Sequence, residues 1–242
     1  MVLLLLAGLL LSGQKEQPEL QGKIFPAITN HLKSISKDAK SIDTIHEKAQ
    51  KELAKVIVEQ YQQGKELSIV LVCTGNSRRS MMGAAMGNAS AAYHGLSELR
   101  FYSGGTTPSA FNSRSIRALK EIGFKIEPTG EKAKPGAKGE DNPFYQVSWL
   151  KDQGWNCIEY SKHYSDPKNP QKDFIALMVC DEADGACPVV MGAKKRISLP
   201  FTDPKAFDGK PEEAAKYSER RDDIGRFMLS TLAIAKEQLK SK

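Results

Sequence analysis

Leu67-Ser-Ile-Val-Leu-Val-Cys73-Thr-Gly-Asn-Ser-Arg-Arg-Ser80 carries most of the structural information in this chain. Its first six residues are a short apolar, β-branched run, the signature of a buried parallel strand. The loop that follows is small and polar, and a small-residue helix is predicted from Met81 to Tyr93. In open α/β sheets ligands collect at the carboxyl ends of strands. A loop there that leads into a helix points its peptide N–H groups at one spot, which makes an anion site. Gly75 permits close backbone approach, and Asn76 tolerates left-handed geometry. Arg79 is suited to grip two oxygens of a tetrahedral oxyanion, which lysine cannot do. Thr74, Gly75, Asn76, Ser77, Arg78 and Arg79 are therefore the candidate oxyanion-binding residues. The same positive field favours the thiolate of Cys73, and Ser80 is placed to hydrogen-bond that sulfur.

Reading outward, Leu99–Tyr102 is a second strand candidate, ending at Ser103-Gly104-Gly105. A helix is expected from about Ser113 to Ile122, closed by Gly123. Phe174–Val179 is a third buried strand, running straight into Cys180, and Ile197–Leu199 a fourth. A long helix from Pro211 to about Leu239 has proline near its start and lysine in its last turn. Strands alternating with helices argue for an α/β fold with a mainly parallel sheet. Pro128 to Pro143 reads as a polar loop with no core former, and the spacing of a nucleotide-binding GxxxxGK loop fails there. Phe144 to Tyr164 reads as a hairpin or irregular insert, with Cys157 a bystander.

Upstream, residues 14–65 are helical and amphipathic. Thr44 and Glu47 suggest a capping box, after which Ile45, Ala49, Leu53, Val56, Ile57 and Tyr61 recur at helical spacing. This stretch is an extension packed on a main unit spanning residues 66–242, itself carrying an insert at 128–170. Val2 to Leu11 is an apolar run too short for a stable membrane span. Residues 1–13 match a signal peptide in length, but no Lys or Arg precedes the run.

The chain has 242 residues, 40% of them apolar and 26% charged, which excludes a multi-span membrane protein and argues against wholesale disorder. With 35 Lys and Arg against 29 Asp and Glu, the net charge of +6 favours anionic ligands but is too diffuse for a nucleic-acid binder. Four cysteines (Cys73, Cys157, Cys180, Cys187) are too few for a disulfide scaffold, and they and the four histidines show no metal-ligand spacing. No bound metal or cofactor is expected.

Val72-Cys-Thr-Gly-Asn-Ser-Arg-Arg-Ser80 resembles the phosphate-binding loop of the low-molecular-weight protein tyrosine phosphatases and of their relatives, the thioredoxin-coupled arsenate reductases. The resemblance implies a three-layer α/β sandwich around a mainly parallel sheet, with the N-terminal helical extension and the insert added to it. It also implies a late Asp-Pro element supplying a general acid/base. Phe201-Thr-Asp-Pro204 matches that element, so Asp203 takes the role. Val179-Cys-Asp-Glu-Ala-Asp-Gly-Ala-Cys-Pro188 is similar to the redox segment of the reductase branch, in which two cysteines seven positions apart flank an acidic stretch. By resemblance, Cys73, Arg79, Ser80, Asp203, Cys180 and Cys187 are the catalytic set, and a thioredoxin-like thiol is the external reductant. The implied substrates are a small oxyanion, arsenate or phosphate, or an aryl phosphate hydrolysed through a Cys73 phosphocysteine. In the second case the rings of Phe144, Tyr145 and Trp149 are candidates for a wall around the aryl group. The family implies a cytoplasmic protein; residues 1–13, if a signal peptide, imply export. Arg78 departs from the pattern, standing where both branches usually carry a second loop cysteine.

Overall fold

A computed structural model describes residues 17–37, 44–151, 156–186 and 189–241. The N-terminal apolar run and Cys187 fall outside the described residues. At the centre, β1 (Leu67–Cys73) is flanked by β2 (Leu99–Gly105) and β6 (Phe174–Met178), with β7 (Ala193–Ser198) outside β6. All three pairings are parallel, in the order β2-β1-β6-β7. A strand with neighbours on both edges and cover on both faces has no solvated side, so β6 reads as an unbroken apolar run and β1 as one from Ile69 onward. The expected α/β class with a parallel central sheet is what the chain adopts.

α4 (Arg79–His94) follows β1 and packs on β1 and β2. Its small residues explain the close approach: a Cβ at Gly87 would stand 2.5 Å from the Phe101 ring. α5 (Ser113–Glu121) begins at Asn112, whose side chain accepts from the Arg114 N–H at 2.9 Å. α6 (Asp181–Ala186) follows β6, and α7 (Glu213–Lys240) lies along α4 and α5.

The extension forms α1 (Gln17–Lys23), α2 (Pro26–Ser36) and α3 (Thr44–Gln60). Ala49, Leu53, Val56 and Ile57 are buried as their spacing predicts, but Ile45 is 61% exposed. It sits in the first turn of α3, before the helix reaches the core. Polar ties fix these helices to α7: His31 Nε2 lies 2.7 Å from Asp222 Oδ1, and Gln50 Nε2 donates to Ser230 Oγ at 2.6 Å.

The stretch read as a polar loop is partly a strand. β3 (Lys125–Lys132), β4 (Pro143–Ser148) and β5 (Cys157–Glu159) make a separate antiparallel sheet in that order. From Glu127 to Lys132 β3 is exposed, so it lacks the alternation that would have marked it. The chain after β5 rejoins the central sheet at a parallel bridge between Gly105 and His163. None of the described helices is long and apolar enough to cross a membrane.

His94, in the last turn of α4, gives the fold a pH dependence. Its Nε2–H donates to the Leu229 carbonyl at 3.0 Å. Burial against α7 lowers its pKa from 6.5 to about 4, with nearby Lys236 acting in the same direction. The unfolded chain then takes up the proton before the folded one does, so this contribution to stability is complete above pH 6.5 and lost as pH falls toward 4. The urea midpoint is expected to fall across that window, and His94→Gln to reduce the fall; an identical slope in the variant would remove His94 as its source.

Candidate active site

Strand register brings the two cysteines together. Val72 is paired with Met178 across β1 and β6, and the Val179 N–H donates to the Val72 carbonyl at 2.9 Å. Cys73 and Cys180 therefore leave the sheet side by side at its carboxyl edge, 107 positions apart in the chain. Both are buried free thiols. The Thr74 hydroxyl, on the residue after Cys73, lies 3.6 Å from Cys180 Sγ. Burial pushes the Cys180 thiol up, while the Thr74 hydroxyl and the Arg79 charge pull against it. Cys157, on β5, lines a different cavity, and burial also holds its thiol well above the usual range.

The loop after Cys73 is held from outside through its carbonyls. Cys73 O accepts from Thr106 N at 3.1 Å, Thr74 O from Thr107 N at 2.8 Å, Gly75 O from Ser109 N at 3.0 Å and Ser77 O from Asn112 N at 3.1 Å. A planar peptide with its carbonyl tied outward presents its N–H on the opposite edge. The loop thus turns a row of donors inward, the arrangement that collects anions. Asn76 adopts the left-handed conformation anticipated for it, at φ +40°. Gly105 keeps β2 close behind: a Cβ there would stand 2.6 Å from Thr74 O and 2.7 Å from Asn76 N.

Arg79 is the first residue of α4 and is nearly buried. Its Nη1 donates to the Phe201 carbonyl and its Nη2 to Asp203 Oδ2, each at 3.0 Å. Its Nε–H is buried with no acceptor among the described residues. A buried donor of this kind is costly unless an acceptor arrives, and an oxyanion over Cys73 would be one. Ser80 Oγ is 3.1 Å from Cys73 Sγ and accepts from Asn76 Nδ2 at 2.9 Å. Asp203 caps a short 3-10 turn, Pro204–Phe207, accepting from Lys205 N at 3.0 Å. Arg78 is turned toward the same loop: its Nε donates to Tyr217 Oη at 3.0 Å, and its Nη atoms lie 3.7 Å from Asp203 and 3.9 Å from Asp208. Two carboxylates thus balance much of the extra positive charge that Arg78 brings.

Cys73, Thr74, Gly75, Ser77, Arg78, Arg79 and Asp203 line one cavity of about 500 Å³, together with Lys138, Glu140, Glu182 and Lys205. No aromatic side chain among the described residues lines it, which corrects the expectation of an aryl wall. Phe144 and Trp149 line a separate cavity of about 610 Å³, and Tyr145 packs edge-on against Phe111 at 5.7 Å between ring centroids. β4 alternates its faces, so neighbouring rings point apart.

Several residues at the site are not marked individually in the sequence. Glu182 on α6 places its carboxylate 3.6 Å from Arg79 Nη2. The Ser161 hydroxyl donates to Gly75 O at 2.9 Å, and the Lys162 N–H to Asn76 Oδ1 at 2.8 Å. His46 of α3 donates to the Pro200 carbonyl at 2.8 Å and stacks on Phe201 at 4.7 Å, bracing the segment before Asp203. Among the described residues no group of three or more His, Cys, Asp or Glu side chains is placed to hold a metal.

Residues 68–141 match the family model of the low molecular weight phosphotyrosine protein phosphatases. The chain is 30% identical over 159 residues to an arsenate reductase of Shouchella clausii, covering 65% of this chain and 88% of that protein. An arsenate reductase of Halalkalibacterium halodurans is 28% identical over 159 residues, covering 65% and 89%. Among solved structures, a low molecular weight protein tyrosine phosphatase from Bacillus subtilis overlaps 73% of this chain and 99% of its own at 18% identity and a TM-score of 0.43. A thioredoxin-dependent arsenate reductase from Corynebacterium glutamicum overlaps 85% and 95% at 15% identity and a TM-score of 0.38.

Proposed function

Since this chain belongs to the low-molecular-weight protein tyrosine phosphatase superfamily, within its arsenate reductase branch, we propose that it reduces arsenate to arsenite through a thiol–disulfide relay. The observation that carries this reading is the position of Cys180. A phosphatase needs one cysteine, yet a second buried thiol stands at the end of the neighbouring strand, its sulfur 3.6 Å from the Thr74 hydroxyl.

In the first step the Cys73 thiolate attacks arsenic within the ring of loop N–H groups. An arsenic–oxygen bond breaks, Asp203 supplies the proton, water leaves, and a Cys73 thiol–arsenate adduct remains. Arg79 and the loop amides carry the oxyanion charge. Cys180 passes its proton to an arsenic-bound oxygen, and its sulfur then attacks Cys73 Sγ. The new sulfur–sulfur bond displaces arsenic, the electron pair of the sulfur–arsenic bond stays on arsenic, and As(V) departs as As(III). Cys187 next attacks Cys180, freeing Cys73 and leaving a Cys180–Cys187 disulfide. An external thioredoxin-like dithiol returns both cysteines to thiols. Gly185, within α6 between the cysteines, is a weak helix former and suits a segment that must unwind to hand a disulfide outward.

The second reading is phosphomonoester hydrolysis through a Cys73 phosphocysteine, favoured by the match of residues 68–141 to a phosphatase family. Arsenate and phosphate are near-isosteric, so the loop serves either. A lining with several charged side chains and no aromatic one among the described residues favours a small inorganic oxyanion over an aryl ester. The test is a direct comparison in one preparation: arsenite formed from arsenate with a thioredoxin system, against hydrolysis of an aryl phosphate. The expected result is sustained, thioredoxin-dependent arsenite formation. Rapid aryl phosphate hydrolysis with no arsenite would overturn the proposal in favour of the phosphatase.

A further inference from the structure

Behind the Cys73 loop, and lining a different cavity from Cys73, lies a buried ion pair that the relay does not use. Lys162 Nζ is 2.8 Å from Glu159 Oε2, with side chains only 3% and 9% exposed. Ser103 of β2 donates to the same carboxylate oxygen at 2.8 Å, and the Lys162 ammonium also lies over the Tyr160 ring at 4.9 Å. Burying two charges costs desolvation energy that their attraction does no more than roughly offset, so such a pair is a poor way to gain stability. Its position supplies another role. The Lys162 backbone is clamped between β2 and the loop: its carbonyl accepts from Gly105 N at 3.0 Å and its N–H donates to Asn76 Oδ1 at 2.8 Å.

We propose that the Glu159–Lys162 pair is a positioning device, which pins the Lys162 peptide N–H on Asn76 and thereby sets the direction of the hydrogen bonds that reach Cys73. A peptide N–H can only donate, so Asn76 must present its oxygen to Lys162 and its NH₂ to Ser80. Ser80 Oγ accepts that bond at 2.9 Å, which turns its own O–H toward Cys73 Sγ at 3.1 Å. The chain of donors thus ends as O–H to sulfur, the polarity that stabilises a thiolate. Without the clamp Asn76 is free to rotate, and Ser80 is then free to offer the sulfur a lone pair. Glu159 and Lys162 touch neither substrate nor sulfur and act through Asn76 and Ser80.

The inference rests on Cys73 being the nucleophile, but not on which oxyanion it attacks, so its test uses no substrate. Cys73 in the full-length protein is alkylated with iodoacetamide from pH 5 to 10 and quantified by peptide mass spectrometry. The proteins compared are wild type, Glu159→Gln/Lys162→Met, Ser103→Ala and Lys162→Arg, each with its melting temperature. The double variant leaves no unpaired buried charge. It is expected to move the pH of half-maximal alkylation up by about one unit, the worth of one hydrogen bond to a charged group. On the acid limb of the profile its rate should fall by up to about tenfold, while the high-pH plateau is unchanged. Ser103→Ala should move the same way by less, and Lys162→Arg should remain close to wild type. A purely structural pair would lower the melting temperature and leave the alkylation profile in place; that result would overturn the proposal. If the double variant does not fold, Ser103→Ala decides the matter by the same criterion.

Discussion

Cys180→Ser protein is expected to form no arsenite from arsenate, while Cys73-dependent hydrolysis of an aryl phosphate continues near the wild-type rate. The two outcomes separate because the variant removes only the sulfur proposed to attack Cys73. The Cys73 loop is held by carbonyl contacts to the 106–112 segment and by Asn76 and Ser80, none of which depends on Cys180. A serine hydroxyl is close enough in size to keep contact with the Ala183 N–H, which now donates to the sulfur at 3.4 Å. It cannot form a disulfide, so the electron pair of the sulfur–arsenic bond is never released to arsenic and the Cys73 adduct stays at As(V). The loss is therefore absolute, not a matter of degree. Continued arsenite formation by Cys180→Ser would place the resolving thiol elsewhere and would bring Cys157 back into consideration.

Arg79→Lys should lower kcat/KM for arsenate and for aryl phosphate alike by roughly 10²- to 10³-fold, the usual result of losing one oriented donor to a developing oxyanion. Arg79 does three things at once. Its Nη groups hold Phe201 O and Asp203, and its buried Nε–H faces no acceptor until a ligand supplies one. Lysine is a point charge with no planar fork and keeps at most one of these contacts. Asp203 loses its anchor in the same variant, so the acid and the anion grip fail together. Steady-state kinetics with both substrates checks this. A loss smaller than about tenfold, equivalent to ~1.4 kcal/mol, would mean that the loop amides bind the oxyanion without Arg79.

The parts of this site that were legible beforehand are those written contiguously. Strand, loop and helix follow one another from Leu67 to Tyr93, and the roles proposed for Cys73, Asn76, Arg79 and Ser80 follow from their order. Cys180 was visible because an apolar strand runs directly into it. The supports were hidden for a definite reason: Lys162 reaches Asn76 through a peptide N–H, a group that every residue but proline possesses. Ser161 and His46 act across separations of 86 and 154 positions, with partners that are backbone carbonyls. The aryl wall failed because composition shows that rings are present in the 144–149 stretch but not which face of β4 meets which neighbour. β3 was missed because an exposed strand shows no hydrophobic period, and Ile45 was misplaced because helical spacing does not say where the helix meets the core. Cys187 falls outside the described residues, so its part in the relay rests on resemblance and on the chemistry that Cys180 requires.

The most direct measurement is disulfide mapping after a single turnover. Fully reduced Cys187→Ser protein, which cannot pass the disulfide onward, is mixed with arsenate and no reductant, quenched by alkylation and digested for mass spectrometry. The expected product is a Cys73–Cys180 disulfide, formed only when arsenate is present, with one arsenite released for each disulfide. Cys73 and Cys180 recovered as separately alkylated thiols, with no arsenite released, would contradict the relay.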